Sequence, residues 1–455
     1  MKQKTLDLSQ QVQALGGLPQ DTPTNTVVIT GYAELTPLGN TEQTAAGELH
    51  GNSGAKKYDV QNFRTNIAAP VDFHPEDYFS EKELRGVSHI GAMGIVLARE
   101  AGRMAHIIDE NGKLVASIDP RKAGCTISSG IGAATTAIDI YTKIHWKKNP
   151  QTQEMETQDP KVGSSLISPF AGLQLFPEET VGDIEAALGL QGWSNNSAEA
   201  CATGLSSVVD AYQLIKSGKN DIVFAGGVED TLSQHGEVGI GVFAAMRGPL
   251  SARNDEPEKA SRPFDKDRDG FVLAAGGGVI ILESLESALK RNTPIHAVIL
   301  NAEKGSDGGS PTNLNTKRVA QLILKTLQKQ KDIFYPVDAI FAHATSTKSG
   351  DAAEIETLRL VFGDHLKDIP ITALKSMHGH LAGGAGAINI ISAIRAITKG
   401  FVPYILNLDN PDEQFKDLYL VREKPLYADF MTALVLAYGF HGKDAAVILG
   451  RYDLQ

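Results

Sequence analysis

The sequence predicts an α/β protein in which parallel sheets are covered by helices and one course of elements is run twice. Three observations predict it. Short apolar β-type runs alternate with segments of helical period, the pattern of strands joined by crossover helices. The same order of elements restarts near Lys290 to Thr293. Composition over 455 residues is 42% hydrophobic and 21% charged, ordinary for a soluble chain with a large core.

Residues 1–25 hold no apolar run and read as a polar, flexible lead-in without a signal peptide. Residues 26–290 form a first half. "TVVITGYAELTPLGN", from Thr26, opens as a buried strand and ends in turn residues. "HIGAMGIVLAREAGRMA", from His89, has the apolar face of a helix. "AGCTISSGIGAA", from Ala123, reads as a strand entering a Gly-rich turn, and "DIVFAGGVED", from Asp221, as a second buried strand. The charged stretch Arg253 to Gly270 reads as an exposed loop, and "GFVLAAGGGVIILES" after it as a long paired segment.

Residues 291–455 form the second half. "IHAVILNAEKGSD", from Ile295, resembles the opening strand. "VDAIFAHATSTKSGD", from Val337, parallels "DIVFAGGVED", and "FHGKDAAVILGRY" closes the chain as "GGGVIILES" closes the first half.

The net charge of −11 argues against a general nucleic-acid binder, because phosphate binding needs a basic surface. Two cysteines exclude a disulfide framework and suit a reducing compartment, so a cytoplasmic location is expected. No run is long enough to span a membrane.

One of those cysteines, Cys201, lies in "NNSAEACATGLSSVVDAYQLI". Leu205, Val208, Val209, Tyr212 and Ile215 follow at helical spacing, so a helix begins at or just after the thiol. A helix N-terminus is worth up to about 2 kcal/mol to an anion, enough to lower a thiol from roughly 8.5 to roughly 7. The same free N–H groups could hold an oxyanion, and small neighbours leave room for a carbonyl. The alternative is a small buried residue at a helix start.

His343 follows a β-type run in "FAHATSTKSGDAAEIE", and Lys375 and His380 precede a Gly/Ala-rich helix start in "TALKSMHGHLAGGAGAINII". Each lies where a strand gives way to a helix, the edge on which α/β sheets build sites. A lone histidine is often structural; three reactive residue types in such turns fit a nucleophile served by two imidazoles.

"EACATG", "HATSTKSGD", "KSMHGHLAGGAGA" and "YGFHG" together resemble, in order and spacing, the active-site segments of β-ketoacyl-[acyl-carrier-protein] synthases. The likeness is to their elongating, two-histidine (Cys-His-His) branch and runs from Val27 to the C-terminus, through "SRPFDKDRDGFVL" and "NLDNPDE". It implies a thiolase-like fold: two pseudo-duplicated halves in a layered α-β-α-β-α body. It implies a decarboxylating Claisen condensation of an acyl group on Cys201 with malonyl-carrier protein, in fatty acid or type II polyketide or polyene synthesis. It implies that His343 and His380 stabilise the enolate and that Lys375 holds their geometry. The N–H groups of Cys201 and Phe440 would form the oxyanion hole, with Phe440 gating the acyl pocket. Thr345 and Thr347 would bond the phosphopantetheine arm, and Glu354 would be a structural carboxylate near Lys375. Lys82, Arg85 and Arg247 would dock the carrier.

The resemblance also implies no metal and no permanently bound cofactor, the substrates arriving on the phosphopantetheine of acyl carrier protein. It implies a homodimer or a heterodimer with a chain-length-factor-like subunit. The alternative that this chain is itself such a non-catalytic subunit sits poorly with Cys201, His343, Lys375 and His380 all present. Thiolases need a second cysteine near the C-terminus, whereas Cys125 is in the first half; initiating synthases pair histidine with asparagine, whereas His380 stands here. Four positions depart from the family pattern: Ala344 for Gly, His378 for Thr, Glu199 for Thr, and "GFHGKDA" for the usual Gly-rich last loop. His441 should therefore stiffen that loop and add bulk beside the gate, as in a specialised synthase; the alternative is neutral drift in a fatty-acid enzyme. Nothing in the sequence explains Glu199.

Overall fold

The computed structural model describes residues 25–60, 63–233, 236–246 and 248–452, so residues 1–24 of the expected lead-in lie outside it. Ten strands make the main sheet: β1 (Val27–Thr36), β2 (Gly39–Asn40), β3 (Ala123–Cys125), β4 (Ile222–Glu229), β5 (Gly276–Ser284), β6 (Ala297–Ser306), β7 (Ile340–Phe341), β8 (Ile371–Thr372), β9 (Thr432–Gly439) and β10 (Lys443–Gly450). Their order is β8-β7-β9-β10-β6-β1-β5-β4-β3, with β2 folded back on β1. β4 and most of β1 are buried on both faces, which is why they read as unbroken apolar runs rather than alternating ones.

The two halves meet where β1 pairs antiparallel with β6. Outward from that seam each half repeats itself. β1 pairs with β5 and β6 with β10, both antiparallel; β5 then pairs with β4 and β10 with β9. Even the irregularities repeat. β1 carries a bulge between Ile29 and Gly31, and β6 one between Ile299 and Asn301, each after three apolar residues. A bulge is a specified feature, so its recurrence at matching places marks a duplicated strand.

Two expectations are corrected. The sheet is mixed, parallel only at its outer pairs β3–β4, β7–β9 and β7–β8. The loop Phe440–Gly442 is too short for a crossover, so β9 and β10 must run antiparallel. In addition, "VDAIFAH" is the counterpart of "AGC" rather than of "DIVFAGGVED", because β7 flanks β9 as β3 flanks β4. Sequence likeness between two buried strands does not reveal their place in a sheet.

Seven helices position the site: α1 (Thr41–His50), α2 (His89–Met104), α3 (Glu179–Leu188), α4 (Thr203–Lys216), α5 (Thr316–Leu327), α6 (Lys348–Phe362) and α7 (Ala385–Lys399). α4 and α7 each touch strands of both halves and so form the middle layer. α2 with α3 covers the outer face of the first half, and α5 with α6 that of the second, giving the α-β-α-β-α stack. α7 is buried from Ala385 to Ile397, as a helix apolar on every side must be. α4 approaches it closely: a methyl on Gly204 would sit 2.7 Å from the Gly383 carbonyl oxygen.

The stretch Arg253 to Gly270 is not an exposed loop. Arg262, Phe264, Asp265 and Arg268 are all buried. Its charges are partnered inside: Arg268 Nε lies 3.4 Å from Asp351, and Arg262 Nε 3.2 Å from Asp265. Charge density alone cannot distinguish a solvated loop from a buried paired one.

Candidate active site

Cys201 is the middle residue of a single 3-10 turn, Ala200–Ala202, that runs straight into α4. Ala200 has φ +50°, a left-handed conformation that costs an L-residue about 1–2 kcal/mol. The turn therefore throws the thiol to the mouth of the helix. Thr203 ties it down: its hydroxyl donates to Ala200 O at 2.8 Å and accepts from Glu199 N at 2.8 Å.

Burial pushes the Cys201 thiol up to about 12; the Lys375 ammonium pulls it down and Glu229 adds to the rise. The expectation of a thiol near 7 is overturned. It counted the helix end, worth up to about 2 kcal/mol, and not the removal of a thiolate from water, which is larger here.

His343 leaves β7 into a turn held by Glu354 and Asp351. Glu354 accepts from His343 N at 2.8 Å and Ala344 N at 2.7 Å, and Asp351 from Ser346 N at 3.0 Å and Phe264 N at 2.9 Å. Ala344 has φ +24°, so the alanine tolerates a backbone that suits glycine. Lys375 Nζ donates to His343 O at 2.5 Å and lies 3.5 Å from its Nδ1.

The rings of His343 and His380 meet edge to face at 5.6 Å, and Phe271 packs on His380 at 5.0 Å. Burial and the Lys375 charge hold both imidazoles well below their ordinary range, so both are neutral. Burial also brings Lys375 down to about 8 against the pull of Glu354, and raises Glu354 to about 7.

A cavity of about 220 Å³ opens at Cys201 and Phe440 and runs between apolar walls toward Val242, Phe243 and Met246. Phe440 is one of its lining residues. A methyl on the neighbouring Gly439 would be 3.3 Å from Cys201 N, which puts this strand end against the backbone of Cys201. His441, by contrast, is exposed at φ +61°. Its bulk falls outside the cavity, which corrects that half of the gate expectation. His441 N donates to Pro311 O at 2.8 Å, and Gly442 lies against Asp307.

Thr345 and Thr347 are half-buried, their hydroxyls 3.1 Å apart, and Thr347 caps α6. Lys82 and Arg85 are exposed on a separate short helix, where Arg85 leans on Glu81 at 3.9 Å. Arg247 lies outside the described residues. Cys125 is fully buried in β3 and takes no part in the cluster; burial drives its thiol upward.

Two residues gain a physical account. Glu199 ion-pairs with Lys304 of β6 at 2.9 Å and accepts from Ser206 at 2.8 Å, tying the Cys201 turn to the other half. Glu229, at the end of β4, was not anticipated. It accepts from Ser129 Oγ at 2.7 Å, Gly130 N at 2.9 Å, Ile131 N at 3.0 Å and Gly383 N at 3.3 Å, joining two loops to the end of β4 near the thiol. The only sequence signal was an acid directly after the buried run "FAGGV".

Residues 24–288 match the beta-ketoacyl synthase N-terminal domain and residues 296–409 the C-terminal domain. The 3-oxoacyl-[acyl-carrier-protein] synthase 2 of Coxiella burnetii is 33% identical over 93% of this chain and 98% of its own length. That of Vibrio harveyi is 31% identical over 93% and 97%. A type II polyketide ketosynthase solved with its acyl carrier protein superposes with a TM-score of 0.80 at 27% identity, over 94% of this chain and 99% of that one. A structure described as the ishigamide ketosynthase/chain length factor gives the same values. The duplicated sheet, the thiol at a helix start and full-length relatives converge on one assignment: the chain belongs to the beta-ketoacyl synthase family, condensing acyltransferases of the 3-oxoacyl-[acyl-carrier-protein] synthase type.

Proposed function

We propose that the chain elongates a carrier-bound acyl chain by two carbons, as a two-histidine synthase with Cys201 as nucleophile. The observation that supports it most is a cluster of two neutral imidazoles and Lys375, whose charge reaches the Cys201 thiol that lines an apolar cavity.

In the first step the Cys201 sulfur attacks the acyl thioester carbonyl, and the N–H groups of Cys201 and Phe440 hold the oxyanion. The carrier thiol leaves with the proton that Cys201 gives up, an imidazole passing it across. In the second step malonyl-carrier loses CO₂. The electrons of the broken C–C bond form an enolate, and N–H groups of His343 and His380 stabilise its oxygen. The enolate carbon attacks the Cys201 thioester, and the sulfur leaves as thiolate and takes a proton from solvent water. Lys375 fixes His343 through its carbonyl and Nδ1, and Glu354 fixes the backbone of the same turn. Thr345 and Thr347 bond the phosphopantetheine arm.

The partners are acyl carrier protein and a second subunit, either another copy or a chain-length-factor-like chain. Tyr141, Leu166, Phe170 and Phe176 leave apolar surface uncovered, which suits a subunit face. Lys82 and Arg85 would meet the acidic carrier. Reversing both charges should raise the KM for acyl-carrier substrate, and an unchanged KM removes that assignment.

The reading is tested by incubating the protein with acyl-carrier thioester and measuring the mass of the Cys201 peptide. An acyl adduct that malonyl-carrier then discharges as a 3-oxoacyl product is expected. An unmodified Cys201 overturns the reading.

A further inference from the structure

Four ionisable side chains lie buried beside the catalytic cluster without belonging to it. Glu34 of β1, Glu48 of α1, Arg395 of α7 and His378 are each 0–1% exposed. Arg395 bridges the two carboxylates, donating to Glu34 and, at 2.8 Å, to Glu48. Ser392 donates to the same Glu48 oxygen at 2.9 Å. The other Glu48 oxygen lies 3.2 Å from His378 Nε2.

Burial raises Glu34 to about 7, whereas against its own burial the Arg395 charge and the His378 contact hold Glu48 down to about 2, so the carboxylate that faces His378 is the charged one. A charge buried this deeply holds its partner strongly, because removing the partner strands it away from water. His378 also sits at a telling place. It ends the short turn Lys375–His378, three residues after the lysine and two before His380. Gly379 follows at φ +74°, a conformation that lets the chain pivot. The backbone of this turn is also held by Ser261 Oγ on Lys375 O at 2.6 Å, by Gly54 N on Met377 O at 2.8 Å and, past its end, by His380 N on Val272 O at 2.7 Å, but no bond of these reaches the His378 side chain.

We infer that His378 is a positioning residue: its contact with Glu48, in the cluster closed by Arg395 and Glu34, fixes the turn that sets Lys375 and His380 against His343. The inference rests on the reading that His380 serves decarboxylation and that Cys201, on another turn, serves acylation.

The test separates the two half-reactions. His378→Leu should lower kcat for malonyl-carrier decarboxylation and condensation about ten- to hundredfold, as small misplacements of catalytic groups do. KM for malonyl-carrier and the rate of Cys201 acylation should stay within about twofold. His378→Gln, which keeps an N–H for Glu48, should recover most of the loss. Glu48→Gln should match His378→Leu, and the double variant should add nothing, as coupled residues behave. A His378→Leu protein with normal decarboxylation, while His380→Ala is slow, overturns the inference. So does a loss shared equally by both half-reactions. If His378→Leu does not fold, Glu48→Gln decides, and an unchanged condensation rate there overturns it. If His380→Ala itself decarboxylates normally, the reading of the site fails and the inference falls with it.

Discussion

The turn before α4 and the turn before α7 are the same piece of backbone used for different ends. Each is a three-residue 3-10 turn, Ala200–Ala202 and Ala382–Gly384. Each opens on a left-handed alanine, at φ +50° and φ +41°, and each feeds a helix of the middle layer. Their middle residues differ. One is Cys201; the other is Gly383, where a methyl would sit 2.5 Å from Gly130 N. The two turns thus share the geometry that sets a residue at a helix mouth, and only one copy carries a side chain there. The second copy has none, so Gly130 packs against it, and on the proposed reading its chemistry lies upstream at His380.

The comparison breaks most sharply at Cys201 itself. Cys201→Ala should cut acyl transfer by at least about a thousandfold, since removal of a covalent nucleophile leaves only binding and the oxyanion donors. The fold should stay, because the alanine keeps Cβ and the neighbours of the thiol are small. Loss of the acyl adduct with an unchanged denaturation midpoint is the expected pair of measurements.

The second prediction concerns protonation. With the thiol up at about 12, the thiolate fraction is small and rises tenfold per pH unit at neutral pH. Iodoacetamide should therefore alkylate Cys201 about a hundredfold faster at about pH 8 than at about pH 6. A helix end acting without burial, placing the thiol near 7, would give only about tenfold over that span. The measured slope tells which environment governs the first turn.

How much of this was legible in the sequence differs between residues for physical reasons. Cys201, His343, Lys375 and His380 could be placed on strand-to-helix turns, because apolar periodicity and small flanking residues are local signals. The duplication was visible in the order of strands. Burial of charge was not. Arg268 and Asp351 look solvated one at a time, and only the fold brings them within 3.4 Å. The same holds for Glu199, whose partner Lys304 lies 105 residues away. The thiol's protonation was misjudged because a helix end is written locally and the depth at which it lies is not.

The third prediction falls on the silent copy. Gly383→Ala drives a methyl into Gly130 N at 2.5 Å and toward a Glu229 carboxylate oxygen at 3.0 Å. Backbone atoms on both sides cannot yield cheaply, so the variant should lose about 1–3 kcal/mol in urea unfolding. It should also disturb the Glu229 contacts under Cys201. A variant as stable as the parent would mean that the two turns are not pressed together as described.

The smallest effect tests the shared strain. Glycine takes left-handed φ without the penalty of about 1–2 kcal/mol that an alanine bears. It also widens the unfolded ensemble, which offsets about 0.4–1 kcal/mol of that relief. Ala200→Gly and Ala382→Gly should therefore each gain a few tenths of a kcal/mol to about 1 kcal/mol in urea unfolding. The consequence for chemistry should not be equal. At Ala200 the alanine's stiffness aims the adjoining thiol, so Ala200→Gly should slow acylation of Cys201 while stabilising the protein, a trade common where strain serves a site. At Ala382 no nucleophile follows, and Gly383 and Gly384 already supply freedom next to it. If Ala200→Gly acylates as fast as the parent, the left-handed turn is an inheritance of the duplication and not a device for presenting the thiol.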